Sequence, residues 1–311
     1  MIFLILAILF ASLFSVILKV CQNLRIDNGQ VILFNYVTAA LFSLASIILK
    51  LCKGFSLSDF SLDVTSVLLG IFQGLMFTVG FNVMDRSVWR SGVALTTVAA
   101  RASLILPVIL SWLLLGQPAP SVLPVVIVLT SLALIILPAQ SQKHEGVKLT
   151  DKTDAQRRRV MILVLIGIFL TYGISDFSLK LAQQSAGDHL DALTFLIFVS
   201  AGLFSLAICL VRGSFKKHYG ASIKGPNQFS GPVTLQSVIG GLVLGVANLL
   251  CTSSSLRALG SLSTSLYYPI YNIGIVVVST IIGIFAFKEK IKWLQFAGIA
   301  LSAVAIFLFF K

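Results

Sequence analysis

The chain has 311 residues, of which 57% are hydrophobic and 11% are charged. Soluble domains carry about 25% charged residues, so this composition excludes an ordinary soluble protein and indicates a polytopic membrane protein. The net charge of +12 does not predict nucleic-acid binding. The basic residues cluster in loops such as Arg157-Arg158-Arg159 and Lys216-Lys217, where cations anchor and orient membrane helices.

Apolar runs of about 20 residues, the length needed to cross a bilayer, alternate with polar or Gly/Pro-containing breaks. The first run begins at Met1 without a basic leader region, and we interpret it as a retained span. A polar linker over 140–159 separates a first five-helix repeat, 1–139, from a second, 160–311. The predicted spans are 2–20, 31–50, 65–84, 91–115 and 121–139 before the linker, and 160–182, 191–211, 233–254, 262–287 and 292–310 after it.

The two sets of five spans resemble each other in sequence. Residues 36–45 in the second span match 198–207 in the seventh at a shift of 162, and the last five residues of the two segments are identical. Further matches follow in the same order along the chain. They pair Leu18-Lys19 with Leu179-Lys180 at a shift of 161 and, at a shift of 171, Gly70 with Gly241, Gly74 with Gly245, Arg86 with Arg257 and Arg101 with Asn272.

A duplicated unit with an odd number of spans has a geometric consequence, because its second copy enters the membrane from the opposite side. The predicted fold class is therefore an all-α polytopic membrane protein with ten transmembrane helices in two inverted five-helix repeats. Such repeats are common in secondary transporters, whose substrate site lies between them near the bilayer midplane. Self-similarity of apolar sequence is the alternative explanation, but it does not account for colinear polar and glycine positions.

The distribution of basic residues predicts the orientation. Seventeen Lys and Arg lie in loops on one side of the predicted spans, and five, Lys50, Lys53, Lys180, Arg257 and Lys311, lie on the other. The positive-inside rule then places the linker in the cytoplasm and both termini outside. We predict a multi-pass protein of the cytoplasmic membrane.

Arg101 lies about ten residues into the fourth predicted span, roughly 15 Å deep at 1.5 Å per residue. A guanidinium at that depth costs about 2.5–3.5 kcal/mol on insertion scales, so a partner or water must stabilise it. One interpretation is that it faces a water-filled cavity and binds a carboxylate or phosphate of a substrate. The other is a structural pair with a carboxylate or with carbonyls freed by Pro107.

Asp176 is the single carboxylate well inside a predicted span. It is a candidate for substrate binding and for proton coupling, since desolvation favours the protonated form of a carboxyl. The alternative is a local ion pair with Lys180, four residues later on the same helix. Lys19 and Lys180 occupy matching places at the ends of spans one and six, where they either snorkel to the interface or form a gate.

Span nine contains Tyr267, Tyr268, Tyr271 and Asn272 around Pro269. A proline inside a span frees backbone carbonyls, and tyrosines with an amide offer hydrogen bonds and aromatic faces. This segment is predicted to be a wall of the substrate site. Packing of the tyrosines against other helices is the alternative.

Amides occur in three further spans. Asn82 and Asn248, like Asn35, should face protein or cavity because a lone amide in lipid is costly. They are predicted to form interhelical hydrogen bonds or to contact the ligand. The motifs Gly70-xxx-Gly74 and Gly241-xxx-Gly245 predict close helix contacts, either static or sliding.

Catalytic motifs are absent from the sequence, which lacks a phosphate-binding glycine loop, an HExxH pair and a nucleophile elbow. The four cysteines and three histidines are scattered without metal-binding spacing. We therefore expect no enzyme activity, no cofactor and no metal. The expected partners are a small-molecule substrate, the lipid bilayer and protons as the candidate coupling ion, with no nucleic acid, and the chain would act as a monomer or homodimer.

With two five-span halves, Lys19 and Lys180 closing the first span of each, and Phe287-Lys288-Glu289-Lys290 before the last span, the chain resembles the ten-span EamA-like members of the drug/metabolite transporter superfamily. Members often have Gly-Glu before each half's last span, and this chain has Gly116-Gln117 and Lys288-Glu289 there. The resemblance implies a central cavity lined by spans one, three, four, six, eight and nine. It also implies cytoplasmic termini, in conflict with the charge distribution.

Three functional hypotheses follow. The first is a secondary transporter of a small polar organic metabolite, an amino acid or related carboxylate, that works by alternating access and exports or imports its substrate. The second is a proton-coupled exporter of drugs or lipophilic cations that uses Asp176. The third is a membrane scaffold without transport activity.

Overall fold

The computed structural model describes residues 1–24, 26–117, 152–219 and 233–287, together with positions 124, 125, 128 and 132. These residues form helices joined by short turns, and no strand occurs among them. Apart from those four positions, the fifth predicted span falls outside the described residues, as do the tenth predicted span, Lys288-Glu289 and most of the linker. The helices are α1 (Ile2–Asn23), α2 (Asn28–Cys52), α3 (Val64–Ala102), α4 (Ile105–Leu115), α5 (Lys152–Ala186), α6 (Leu190–Tyr219), α7 (Leu235–Ser261) and α8 (Thr264–Phe287).

Five helical segments in the described part of the chain are long and apolar enough to cross a membrane. Large apolar side chains also remain exposed along them, such as Leu163 at 66% and Leu210 at 63%. Exposed apolar surface of this extent suits a lipid environment rather than water. The five segments are Asn28–Cys52, Val64–Met84, Ile162–Ala186, Leu190–Val211 and Leu235–Ser261, and two shorter apolar stretches are Ile2–Leu18 and Ala99–Leu115.

Most helix boundaries lie within four residues of the predicted spans. The exceptions are α5, which begins at Lys152 inside the predicted linker, α6 and α7, which continue to Tyr219 and Ser261 beyond the predicted ends at 211 and 254, and the region between spans three and four. A break was predicted at 85–90, but α3 continues through this polar stretch to Ala102, since the segment contains no proline or glycine to interrupt it. The chain breaks instead just after Ala102, upstream of Pro107. Pro107 has no N–H to donate to the carbonyl of Ser103, and that carbonyl accepts a hydrogen bond from the Leu106 N–H at 3.0 Å.

The described helices belong to two compact units, each of which draws segments from both halves of the chain. The first unit consists of Met1–Val79 and Ser178–Ser261, and the second of Gly80–Phe177 and Leu262–Lys311. In the first unit α7 packs against α1 and α2, and α6 packs against α2. Its core contains the fully buried side chains Val31, Ala39, Leu193, Ile197, Leu244 and Leu256.

Two glycine pairs let helices of the first unit approach closely, as the sequence predicted. A Cβ atom at Gly74 of α3 would lie 2.7 Å from the carbonyl oxygen of Ile197 in α6. A Cβ atom at Gly245 of α7 would lie 2.7 Å from the carbonyl oxygen of Asn35 in α2. These distances leave no room for a side chain, so each pair of helices is in backbone contact. We call the two contacts the α3–α6 seam and the α7–α2 seam.

The two seams use matching residues. Gly70 faces Leu193 and Leu196, whereas Gly241, its sequence match, faces Val31 and Phe34. The partners Leu193 and Val31 differ by 162 positions, and so do the partners Leu196 and Phe34. This is the same shift that relates residues 36–45 to 198–207 in the internal sequence match. Each half of the chain therefore packs one of its helices on the other half through equivalent residues.

The second unit contains the end of α3, α4, most of α5 and α8, with α4 packed against α8. Gly173 of α5 lies close to the start of α4, since a Cβ atom there would lie 2.7 Å from Cβ of Leu106. The break between α3 and α4 therefore lies beside α5. This break holds the candidate site described next.

Candidate functional site

Arg101 lies in the last turn of α3, one residue before the helix ends. The last carbonyls of a helix lack intrahelical donors and form the negative end of its dipole, which stabilises a cation. The side chain is half-buried. The break after Ala102 thus explains how the chain accommodates a guanidinium in an apolar segment.

Asn272 of α8 is the hydrogen-bond partner of Arg101. The Nη1 atom of Arg101 donates to Oδ1 of Asn272 at 3.0 Å, and Nδ2 of Asn272 donates to the backbone carbonyl of Tyr268 at 3.0 Å. The second bond fixes the amide so that its oxygen faces the guanidinium. The two positions that the sequence repeat pairs therefore touch each other in the second unit.

Three tyrosines of α8 form an aromatic cluster beside this contact. The rings of Tyr267 and Tyr271 are stacked with centroids 5.2 Å apart, and the rings of Tyr267 and Tyr268 meet edge to face at 5.0 Å. Tyr267 and Tyr268 are almost fully buried, whereas Tyr271 is half-buried. Tyr271 is therefore the ring with the most surface left for a ligand.

Asp176 of α5 joins the same cluster through its backbone and its charge. The hydroxyl of Tyr268 donates to the backbone carbonyl of Asp176. The carboxyl of Asp176 is half-buried and lies within the electrostatic reach of Arg101, as does the hydroxyl of Tyr172. Five residues predicted from the sequence thus meet in the second unit, and we call them the Arg101 cluster: Arg101, Asp176, Tyr267, Tyr271 and Asn272.

One residue of this region, Tyr172, was missed at the level of sequence, whereas Tyr268 is one of the three tyrosines of the predicted wall. Tyr268 links α8 to α5 through the hydrogen bond to Asp176, and Tyr172 shares the electrostatic environment of Arg101. Tyr268 follows Tyr267 directly, and Tyr172 lies one helical turn before Asp176. The turn spacing of Tyr172 and Asp176 was the available signal, because side chains four apart share a helix face.

Lys180 does not snorkel to the interface, contrary to the simpler interpretation of the sequence. It is 5% exposed, and its ammonium donates to the carbonyl of Leu259 at 2.6 Å and to Oε1 of Gln183 at 3.0 Å. The predicted local ion pair with Asp176 is not among the ion pairs of the described residues, which join Asp191 to Lys50 and Arg257. Lys180 therefore satisfies an end carbonyl of α7 within the first unit. The gating hypothesis remains a prediction, and the Lys19 side chain is outside the described set.

Asn248 and Asn82 have separate environments. Nδ2 of Asn248 donates to Oδ1 of Asn35 at 3.2 Å, which joins α7 to α2 inside the first unit. The predicted interhelical hydrogen bond of Asn248 is thus confirmed. Asn82 is half-buried in the second unit and engaged in an interaction of its own. Neither observation tests the prediction of ligand contact.

Comparison with other proteins gives the family of the chain. No family model matches it. An uncharacterized protein of Haemophilus influenzae is 31% identical over 310 residues, covering 98% of this chain and 96% of that protein. The chain belongs to the same family.

A solved crystal structure supports the fold. It has a TM-score of 0.68 with this chain at 12% identity, covering 98% of this chain and 95% of the other. At that identity the similarity concerns the course of the backbone alone. Among the described residues, no three His, Cys, Asp or Glu side chains are grouped so that they could hold a metal ion.

Proposed function

We propose that this chain is a secondary transporter of a small polar organic metabolite, of the amino acid or carboxylate class, in the cytoplasmic membrane. The observation that carries the proposal is the Arg101 guanidinium, oriented by Asn272 beside stacked tyrosines at a helix break. Arginine has five N–H donors in a planar fork that matches a carboxylate. One of them binds Asn272, and the others are available to an anionic substrate.

Alternating access is supported by the two glycine seams. Inverted repeats can exchange conformations when equivalent contacts exist in both halves. The α3–α6 and α7–α2 seams are such a pair, since Gly74 meets Ile197 and Gly245 meets Asn35 through matched positions. Ten spans in two inverted five-helix repeats, as in the drug/metabolite transporter superfamily, are therefore part of the proposal.

The test is transport by purified protein reconstituted in vesicles. A panel of amino acids and small carboxylates is first screened for thermal stabilisation of the protein, and the stabilising compounds are then used in flux assays. We expect Arg101→Ala to abolish flux and ligand stabilisation while the protein still folds. Arg86→Ala is the matched control, because it removes the same charge from an exposed position in the same unit and should transport normally.

Normal flux in Arg101→Ala would remove the anion-binding role. A protein that shows neither flux nor stabilisation with any compound of the panel would contradict the transporter proposal itself and favour a scaffold.

A proton-coupled exporter of lipophilic cations is the second candidate. The half-buried carboxyl of Asp176 has no ion pair within the described part of the chain, and the aromatic residue Tyr268 packs beside its backbone. A cation and a proton would compete for such a carboxyl. Growth in the presence of cationic dyes distinguishes the two functions, because an exporter would confer resistance that Asp176→Asn abolishes, whereas a metabolite carrier would confer none.

A further inference from the structure

The first unit contains an open groove that is separate from the Arg101 cluster. Its volume is about 490 Å³, within the range of about 300–1,000 Å³ found for ligand pockets. Helices α1, α2, α6 and α7 form its walls. Its apolar lining consists of Phe3, Leu6, Phe10, Phe42, Leu249 and Leu250.

The groove has a polar mouth at one end of these helices. Asp191, at the start of α6, pairs with Lys50 in the last turn of α2 and with Arg257 near the end of α7, the latter at 3.4 Å. The guanidinium of Arg257 also lies over the ring of Phe3, 5.6 Å from its centroid. Arg257 and Asp191 line the groove and Lys50 adjoins it through its pair with Asp191, so these three side chains together carry a net charge of +1.

The charged groups of the mouth remain accessible. The side chains of Lys50, Asp191 and Arg257 are 35%, 24% and 43% exposed. Asp191 therefore orders the two cations without covering them. An incoming anion can bind both cations while they keep their contact with the carboxylate.

The apolar part of the groove extends from this mouth along two helices. Phe3, Leu6 and Phe10 are spaced along one face of α1 and span about 10 Å, and Leu249 lies about 12 Å from Arg257 along α7. The hydrocarbon core of a bilayer is about 30 Å thick. The apolar part of the groove is therefore about one third as long as the hydrocarbon core is thick. It begins at the charged helix ends.

We propose that this groove binds one anionic phospholipid, with its phosphate at Arg257 and Lys50 and an acyl chain against the phenylalanines of α1. The net positive mouth selects an anionic headgroup over a zwitterionic one, and the apolar wall selects a lipid over a free anion. The site is independent of the proposed transport function, because none of its residues belongs to the Arg101 cluster.

The experiment measures lipid binding to the purified full-length protein in detergent by native mass spectrometry and by thermal stabilisation. Phosphatidylglycerol, phosphatidylcholine and glycerol phosphate are compared at equal concentration. We expect tighter binding of phosphatidylglycerol than of phosphatidylcholine, and no binding of glycerol phosphate. A basic side chain near a membrane surface contributes about 1 kcal/mol to the binding of anionic lipid. Arg257→Gln should therefore weaken the binding of phosphatidylglycerol about fivefold.

Lys53→Gln is the matched control, because Lys53 is exposed at the same end of α2 as Lys50 but, unlike Arg257, it neither lines the groove nor pairs with Asp191. It should retain the preference for phosphatidylglycerol. A second variant, Ser253→Phe, fills the groove without changing the charge and should reduce binding of both phospholipids. It keeps the test valid if Arg257→Gln fails to fold.

Equal binding of phosphatidylglycerol and phosphatidylcholine would overturn the proposal. So would equal losses in Arg257→Gln and Lys53→Gln, which would indicate nonspecific attraction to charge. A change of oligomeric state in Ser253→Phe with unaltered lipid binding would instead assign the groove to a second copy of the chain. If the protein shows no lipid selectivity, only the lipid-site proposal fails. The flux measured with Arg101→Ala tests the transport proposal separately.

Discussion

Arg101 and Asn272 define the candidate site at the scale of single residues. The hydrogen bond between them joins α3 to α8, and bonds to charged groups contribute about 1.5–3 kcal/mol to stability. Asn272 is 4% exposed, so water cannot readily replace it as an acceptor. The pair should therefore be coupled in the free energy of unfolding.

A double-mutant cycle tests this coupling. We expect the destabilisations caused by Arg101→Ala and Asn272→Ala to be non-additive, with an interaction energy of about 0.5–3 kcal/mol, measured by chemical unfolding in mixed micelles. The reference cycle combines Arg86→Ala, at an exposed position, with Asn272→Ala. The two destabilisations in this cycle should be additive within about 0.5 kcal/mol. Additivity in both cycles would show that Arg101 and Asn272 are not partners in the membrane.

Asp63 makes a pH-dependent contribution at the start of α3. It accepts hydrogen bonds from the backbone N–H of Ser66 at 3.1 Å and from the hydroxyl of Ser185 at 3.4 Å. Hydrogen bonding by the side chain and the backbone of Ser66 holds the pKa of its carboxyl below the ordinary value of 3.8. A lowered pKa stabilises the folded state above the ordinary value, and this contribution is lost as the pH falls through the folded-state value.

The thermal unfolding of Asp63→Asn should reveal this dependence. We expect the variant to unfold at a lower temperature than the parent chain between about pH 5 and 8, with the difference shrinking on acidification below the ordinary pKa. Asp59→Asn, in the preceding turn, is the charge-matched comparison. A difference that is independent of pH would argue that the carboxylate charge has no part in capping α3.

At the scale of helices, the glycine seams determine how closely elements pack. An added methyl group at Gly74 would meet backbone atoms of Ile197 and Ala201, each at 2.7 Å. Backbone atoms cannot move aside as a flexible side chain can. Overpacking of this kind costs about 1–3 kcal/mol.

Alanine substitutions compare the seams with an open position. We expect Gly74→Ala and Gly245→Ala each to lower the unfolding temperature and flux, since both seams are equally tight. Gly167→Ala, in α5, has no atom within 4 Å of the added methyl group and should be neutral or stabilising by up to about 1 kcal/mol. A tolerated alanine at either seam would show that the helices there are farther apart than described.

The same scale explains why the break between spans three and four was predicted at the wrong place. The polar stretch 85–90 has the composition of a loop, yet its residues are compatible with a helix, and α3 continues through it. Pro107 cannot donate a hydrogen bond to the carbonyl four residues before it, and the helix breaks after Ala102. Removal of a backbone donor is a local and strong effect, whereas polarity alone does not end a helix.

At the scale of the whole molecule, an odd number of spans per half predicts which loops share a side. The turn between α2 and α3 should lie on the side of Met1, and the linker on the other. Single cysteines at Ser58 and Ser141, in a background without the four native cysteines, should react with impermeant reagents from opposite faces. Labelling of both from one face would contradict the inverted arrangement. The side on which Ser141 reacts also decides between the charge-based and the family-based orientation.

Length and apolar composition were sufficient to predict the membrane-compatible helices, because bilayer thickness fixes how many apolar residues a span needs. The internal sequence match likewise predicted that the glycine pairs occupy equivalent places. The tertiary structure decided which polar side chains meet. Arg101 reaches Asn272, while Lys180 turns to the carbonyl of Leu259 and Arg257 joins Asp191 at the groove. These pairings depend on the rotation and crossing of helices distant in sequence, and neither composition nor spacing within one helix specifies them.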